Sequence, residues 1–139
     1  MTWTKGYHED HMAVLVLLAK LEGNLKDLEK GQYNCGINLD FKEFGDIIKT
    51  VIIPHFKKEE TDVYPQIAKI DTTSEHIIDK MLEEHRQLYD SFGDYLQAID
   101  ETDNQALIRS GHEILRVLGH HIHKEEELLP KLIKKAKKI

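Results

Sequence analysis

Two short patterns in this chain carry side chains that bind metals: His55-Phe56-Lys57-Lys58-Glu59 and His121-Ile122-His123-Lys124-Glu125. Residues four apart on a helix differ in direction by only about 40°, so each histidine projects beside its glutamate. One imidazole and one carboxylate on a shared face make half a site for a divalent metal of intermediate softness, such as iron, manganese or zinc. Each pattern follows an acidic pair and a histidine: Glu9-Asp10-His11 in the first half, Glu83-Glu84-His85 in the second. The six residues His11, His55, Glu59, His85, His121 and Glu125 would supply four nitrogens and two carboxylates. With both carboxylates bridging, each of two metals keeps two histidines and room for a small exogenous ligand.

A lone histidine on an apolar helix face is more often a core or surface residue than a ligand, and a single His-x-x-x-Glu arises by chance on charged helices. Here the arrangement occurs twice, in equivalent halves, with all six residues on the expected inner faces. Burying them without a metal or partners would cost several kcal/mol.

Positioning these residues requires helices. Glycine (8) and proline (3) are scarce, and most of the chain has helical period. A first helix is expected over about 7–30, with His11, Leu15, Leu18, Glu22 and Leu25 at three- and four-residue steps and Gly31 as its C-cap. Residues 31–39, with Asn34, Gly36 and Asn38, read as a loop, and Asp40 with Glu43 as a capping box. Phe44, Ile48, Val51, Ile52, His55 and Glu59 then share a face, with Pro54 expected to kink or break the helix. Asp71-Thr72-Thr73-Ser74 offers N-caps for a third helix to about Ile99, whose inner face carries Ile78, Met81, Leu82, His85, Tyr89, Phe92 and Leu96. After a polar turn at 100–104, the fourth helix places Leu107, Ile114, Leu118, His121, Glu125 and Leu128 on one side, and Pro130 marks its end or a bend. The expected architecture is all-α, an antiparallel up-down four-helix bundle forming one domain over residues 1–139.

The remaining polar residues have plainer readings. His76 and His112 are nine residues before a proposed ligand, half a turn out of phase. His120 and His123 flank the inner position. His8 reads as a solvated first-turn residue, with a fifth nitrogen as the alternative. Glu60 and Glu126, five residues after their histidines, point about 140° away and are expected in solvent, with orientation of a ring N–H from a neighbouring helix as the alternative for one of them. Asp62 is the best alternative carboxylate. The run from Glu125 to Pro130 is one residue shorter than that from Glu59 to Pro65.

Composition narrows the function. A net charge of −6 argues against nucleic acid as the main partner. The longest apolar run, from Ala13 to Ala19, is too short for a bilayer, and the first residues lack the apolar core of a secretion signal. One cysteine, Cys35, excludes an internal disulfide and fits a reduced, cytoplasmic location. Cys35 reads as an idle surface thiol, and the terminal Lys131, Lys134, Lys135, Lys137 and Lys138 as complements to a helix C-terminal dipole.

The paired acidic-acidic-His and His-x-x-x-Glu patterns resemble the hemerythrin-like HHE cation-binding domain family, from about His8 to Pro130. The resemblance implies a four-helix bundle with two iron ions in a non-haem di-iron centre, bridged by both carboxylates and an oxo or hydroxo group. It implies the ligands His11, His55, Glu59, His85, His121 and Glu125; zinc or manganese suits the same donors. The chain departs from the oxygen-carrying hemerythrins, which place a second histidine one turn from the third-helix ligand, where Met81 and Tyr89 stand here. They also use His-x-x-x-x-Asp on the last helix. The expected function is binding of a small diatomic ligand, dioxygen or nitric oxide, for storage, transport or sensing. The alternatives are a di-iron peroxidase, nitric-oxide reductase or iron-donating repair protein, which would need a redox partner, and iron or metal-ion handling. No phosphate loop and no nucleophile–base pair is visible.

Overall fold

A computed structural model describes residues 5–32, 35–70 and 72–137. Asn34, Asp71 and Lys138 of the expectations above lie outside the described residues, as do the side chains of Cys35, Lys135 and Lys137. Four helical rods make up the described chain. The first is α1 (Lys5–Glu29). The second is compound: α2 (Cys35–Ile47), a π-helical turn (Ile48–Ile52), α3 (Ile53–Lys58), a second π-helical turn (Glu59–Val63) and α4 (Tyr64–Ile70). A 3₁₀ turn (Thr72–Ser74) leads to α5 (Glu75–Asp100), and α6 (Asn104–Lys137) completes the bundle, packing along both α1 and α5. No strand occurs among the described residues.

Local chemistry explains most of the boundaries. Gly31 has φ +78°, and the Gly31 and Gln32 amides bond the Leu28 and Asp27 carbonyls at 3.1 and 2.8 Å, the pattern that closes a helix through a left-handed residue. The expected loop to Leu39 is shorter than the spacing predicts, because α2 starts at Cys35. Asp40 is therefore inside α2 rather than at its N-cap; its carboxylate takes Lys20 Nζ at 3.2 Å and Asn24 Nδ2 at 3.4 Å, tying α2 to α1. Phe41 and Phe44, both buried, outweigh the loop-like composition around them.

Pro54 does not break the second rod. Its missing N–H is absorbed by the π turn before it, where the Ile53 amide reaches back five residues to the Ile48 carbonyl. The second π turn precedes Pro65 in the same way, with the Tyr64 amide bonded to the Glu59 carbonyl. It also accounts for the extra residue between Glu59 and Pro65, since a π turn stores one insertion without ending the helix. On α6 the helix runs through Pro130 to Lys137, so Pro130 is not the end.

Two apolar clusters flank the histidines. The larger runs from Val14 to Leu28 on α1 and includes Phe41, Ile52, Phe56, Phe92, Tyr95, Ile114 and Leu118. The smaller holds Val63, Tyr64, Ile67, Ile78, Met81 and Leu129. Along the second rod, α5 and α6, the proposed donors fall where one cluster gives way to the other. The buried stripe of α5 is rotated from expectation: Leu88, Ser91, Tyr95 and Ala98 are buried, whereas Leu82, Tyr89 and Leu96 are half-buried. On α6 Leu129 is buried instead of Leu128, and Val51 faces solvent.

Two glycines make opposite predictions. A Cβ at Gly111 would sit 2.8 Å from Leu25 Cδ1, and Leu25 is fully buried. Gly111→Ala should therefore destabilise by about 1–3 kcal/mol through overpacking, despite alanine's better helix propensity. Gly93, in the exposed middle of α5, has nothing within 4 Å of its Cβ position. Gly93→Ala should stabilise by roughly 1 kcal/mol. Denaturant melts of the two variants would test the contrast; equal signs would contradict the close α1–α6 approach.

Candidate metal centre

The helices bring the six predicted residues together. Glu59, His85, His121 and Glu125, all buried, each place a donor atom within 4.8 Å of one another, and so do His11, His55 and Glu59. The two groups share Glu59. Four ring nitrogens face each other in pairs: His11 Nε2 to His55 Nε2 at 3.1 Å, and His85 Nε2 to His121 Nε2 at 3.0 Å. Between the pairs lie the carboxylates. Glu59 Oε1 is 3.6 Å from His55 Nε2 and 3.5 Å from His85 Nε2. Glu125 Oε1 is 2.9 Å from His121 Nε2 and 3.6 Å from His11 Nε2.

The outward ring nitrogens are equally ordered. Glu126 on α6 takes His11 Nδ1 at 2.8 Å, and Asp10 on α1 takes His55 Nδ1 at 3.3 Å. Glu60, in the turn after α3, takes His85 Nδ1 at 2.7 Å, and Glu84 on α5 takes His121 Nδ1 at 2.9 Å. Each histidine is thus oriented by a carboxylate from a different rod, and the four links form a closed circuit around the bundle. Such partners fix the ring and, once it is neutral, its tautomer, so that the inward Nε2 carries the lone pair. The expectation that Glu60 and Glu126 sit in solvent is corrected: the offset that turns them from their own histidines aims them at the neighbouring rod. Phe56 stacks on the His85 ring at 3.9 Å and 4°, holding it flat.

The other residues separate cleanly. Asp62 is exposed and pairs with Gln66, because the π turn rotates it off the inner face. His8 is exposed and bonds Glu126 at 3.0 Å, outside the donor groups. His76, His112, His120 and His123 are exposed, and His112 pairs with Glu29.

Tyr64 escapes the spacing argument. Its hydroxyl donates to Glu125 Oε2 at 2.7 Å and lies 3.4 Å from His85 Nε2. Five residues past Glu59 would be off-face on an α-helix, but a π turn restores the direction. Pro65, directly after it, is the one signal in the sequence that could have exposed the shift.

The donors suit a metal better than they suit one another. Glu59 is fully buried, and among the described residues neither of its oxygens has a hydrogen-bond partner; nor has Glu125 Oε1, whose approach to His121 lacks hydrogen-bond alignment. Buried polar atoms are nearly always paired, and three such oxygens among four imidazoles form a set that can hold cations. The chain matches the hemerythrin HHE cation-binding domain over residues 4–133. It belongs to that family. The hemerythrin HHE domain binds metal cations, and these histidines and glutamates can hold them here. No curated protein and no solved structure matched the chain. Among the described residues, no helix of this HHE domain is long and apolar enough to cross a membrane.

Electrostatics describe the metal-free HHE centre. Burial, then the Glu125 charge, pushes Glu59 well above the usual carboxylate range. Burial works against ionised Glu125 too, but the His121 cation holds it well below that range. His121 is raised to about 9, the pull of Glu125 and Glu84 overcoming burial. His85 is lowered to about 4 by burial and by His121, and His55 is lowered by burial and His11. Glu84 is also penalised by burial, yet His121 and Lys124 bring it to about 2. Without metal, His121 therefore carries a proton at neutral pH, and Glu59 is held towards its neutral form. Metal binding must expel the His121 proton, so affinity should rise with pH across the neutral range. Adding metal to weakly buffered apoprotein with an indicator dye should show proton release; uptake with no release would contradict this charge state.

Proposed function

We propose that this chain is a di-iron protein that binds a small diatomic ligand, dioxygen or nitric oxide, for storage, transport or sensing. In this reading the rods form an antiparallel up-down bundle, and His11, His55, Glu59, His85, His121 and Glu125 hold two iron ions. The observation that carries it is the set of buried, unpartnered carboxylate oxygens between two facing imidazole pairs. When bound, the iron pair would supply electrons and an open coordination position to the diatomic.

The chain's own residues do the rest. The four outer carboxylates hold the rings in register. Ile52, Phe56, Phe92 and Leu118 exclude bulk water, which favours a small, weakly polar ligand over a charged one. A narrow apolar cleft lined by Val14, Val51, Ile52, Leu118 and Ile122 reaches His11 and His55, giving such a ligand a way in. A cytoplasmic location and the absence of nucleic acid or membrane partners belong to the same proposal.

The test is to load the apoprotein with ferrous iron without air, then admit dioxygen or nitric oxide while recording the optical spectrum. A spectral change reversed on evacuation supports binding. Irreversible oxidation with turnover would point to an enzyme, and an unchanged spectrum with exchangeable metal to metal handling.

A further inference from the structure

We propose that the two metal positions fill in order, the His85–His121 position first, and that Tyr64 sets this order as a positioning residue. The inference rests on the metal reading above and makes its two halves unequal. At one position four buried donors, from Glu59, His85, His121 and Glu125, already converge. The other has three, from His11, His55 and Glu59, and His55 is only partly buried beside the cleft.

The carboxylates explain the difference. Glu59 Oε1 lies almost midway between the pairs, at 3.6 Å from His55 and 3.5 Å from His85. Glu125 Oε1 is displaced towards His121, at 2.9 Å against 3.6 Å from His11. Tyr64 grips its other oxygen at 2.7 Å and is itself locked in the small apolar cluster. In the opposite half the residue before the proline is Leu129, which has no hydroxyl to hold Glu59 in return. Tyr64 thus commits Glu125 to one side and leaves Glu59 to be shared. The first ion meets a preorganised set of four; the second meets two histidines and a carboxylate already engaged.

The experiment titrates cobalt(II) into the metal-free 139-residue chain, following visible absorption in competition with a chromophoric chelator. The first ion should bind ~10-fold or more tightly than the second, the scale on which supporting hydrogen bonds tune a metal site. His55→Ala should lose the second ion and keep the first, and His85→Ala should lose the tight step. Tyr64→Phe should keep both ions but bring the two affinities to within ~3-fold of each other, by weakening the first. Two ions in one indistinguishable step would overturn the order, as would His55→Ala weakening the first step as much as His85→Ala. Circular dichroism reports whether each variant folds. Should His85→Ala unfold, Tyr64→Phe decides alone, and an unchanged affinity gap overturns the role of Tyr64. Failure of the wild-type chain to bind any cobalt would sink the metal reading itself, a result distinct from two equal sites.

Discussion

Glutamine in place of Glu59 is expected to raise the melting temperature of the metal-free protein and to lower that of the metal-loaded protein. Glu59 is wholly buried with both oxygens unpartnered. Burial and the neighbouring Glu125 hold its carboxyl well above the ordinary range. A carboxyl raised in this way costs folding stability at any pH above its unfolded value, and costs nothing below it. Glutamine is neutral, nearly the same shape, and can donate its amide N–H groups to the surrounding carboxylate and ring nitrogens. The gain should be about 1–3 kcal/mol at neutral pH, shrinking as the pH falls into the carboxylate range. With metal present the sign reverses, because the variant lacks the anionic donor common to both groups. Thermal melts of both proteins, each with and without metal, check this. Shifts of the same sign in the two states would mean that Glu59 is a structural residue and no ligand.

Removing the metal from the wild-type chain should produce the largest change of all. The donors are poised only in the folded state, so whatever binds them stabilises that state by mass action. At a free-metal level ~1,000 times the dissociation constant, each site adds roughly 4 kcal/mol. For a domain of this size roughly 3–4 °C accompanies each kcal/mol, so two filled sites should raise the midpoint by ~20 °C or more. A chelator should reverse the shift, and readdition of metal should restore it. Identical melting curves before and after chelation would leave the six residues without a role in binding.

The ligand candidates were legible because their signal is local. His55 with Glu59, and His121 with Glu125, need only the helical repeat to point together, and the repetition in two halves separates them from chance. The carboxylates that orient the rings were not legible in this way. Asp10, Glu60, Glu84 and Glu126 each serve a histidine on another rod. Their pairing depends on how the rods are set against one another, which no spacing within one helix encodes. Asp62 was misplaced and Tyr64 overlooked for one shared reason, the π turn that changes the phase of every residue beyond Glu59. The start of α2 was misread because Gly36, Asn38 and Asp40 carry turn propensities that the burial of Phe41 and Phe44 overrides.

The circuit of four carboxylate–histidine links has a property of its own. Exchange the two halves of the chain, and the Asp10–His55 link falls on Glu84–His121, while Glu60–His85 falls on Glu126–His11. A short hairpin pairing with a twin of itself would close the same loop, with no linker needed between them. The equivalence stops just outside that circuit, where the tyrosine before Pro65 answers to a leucine before Pro130.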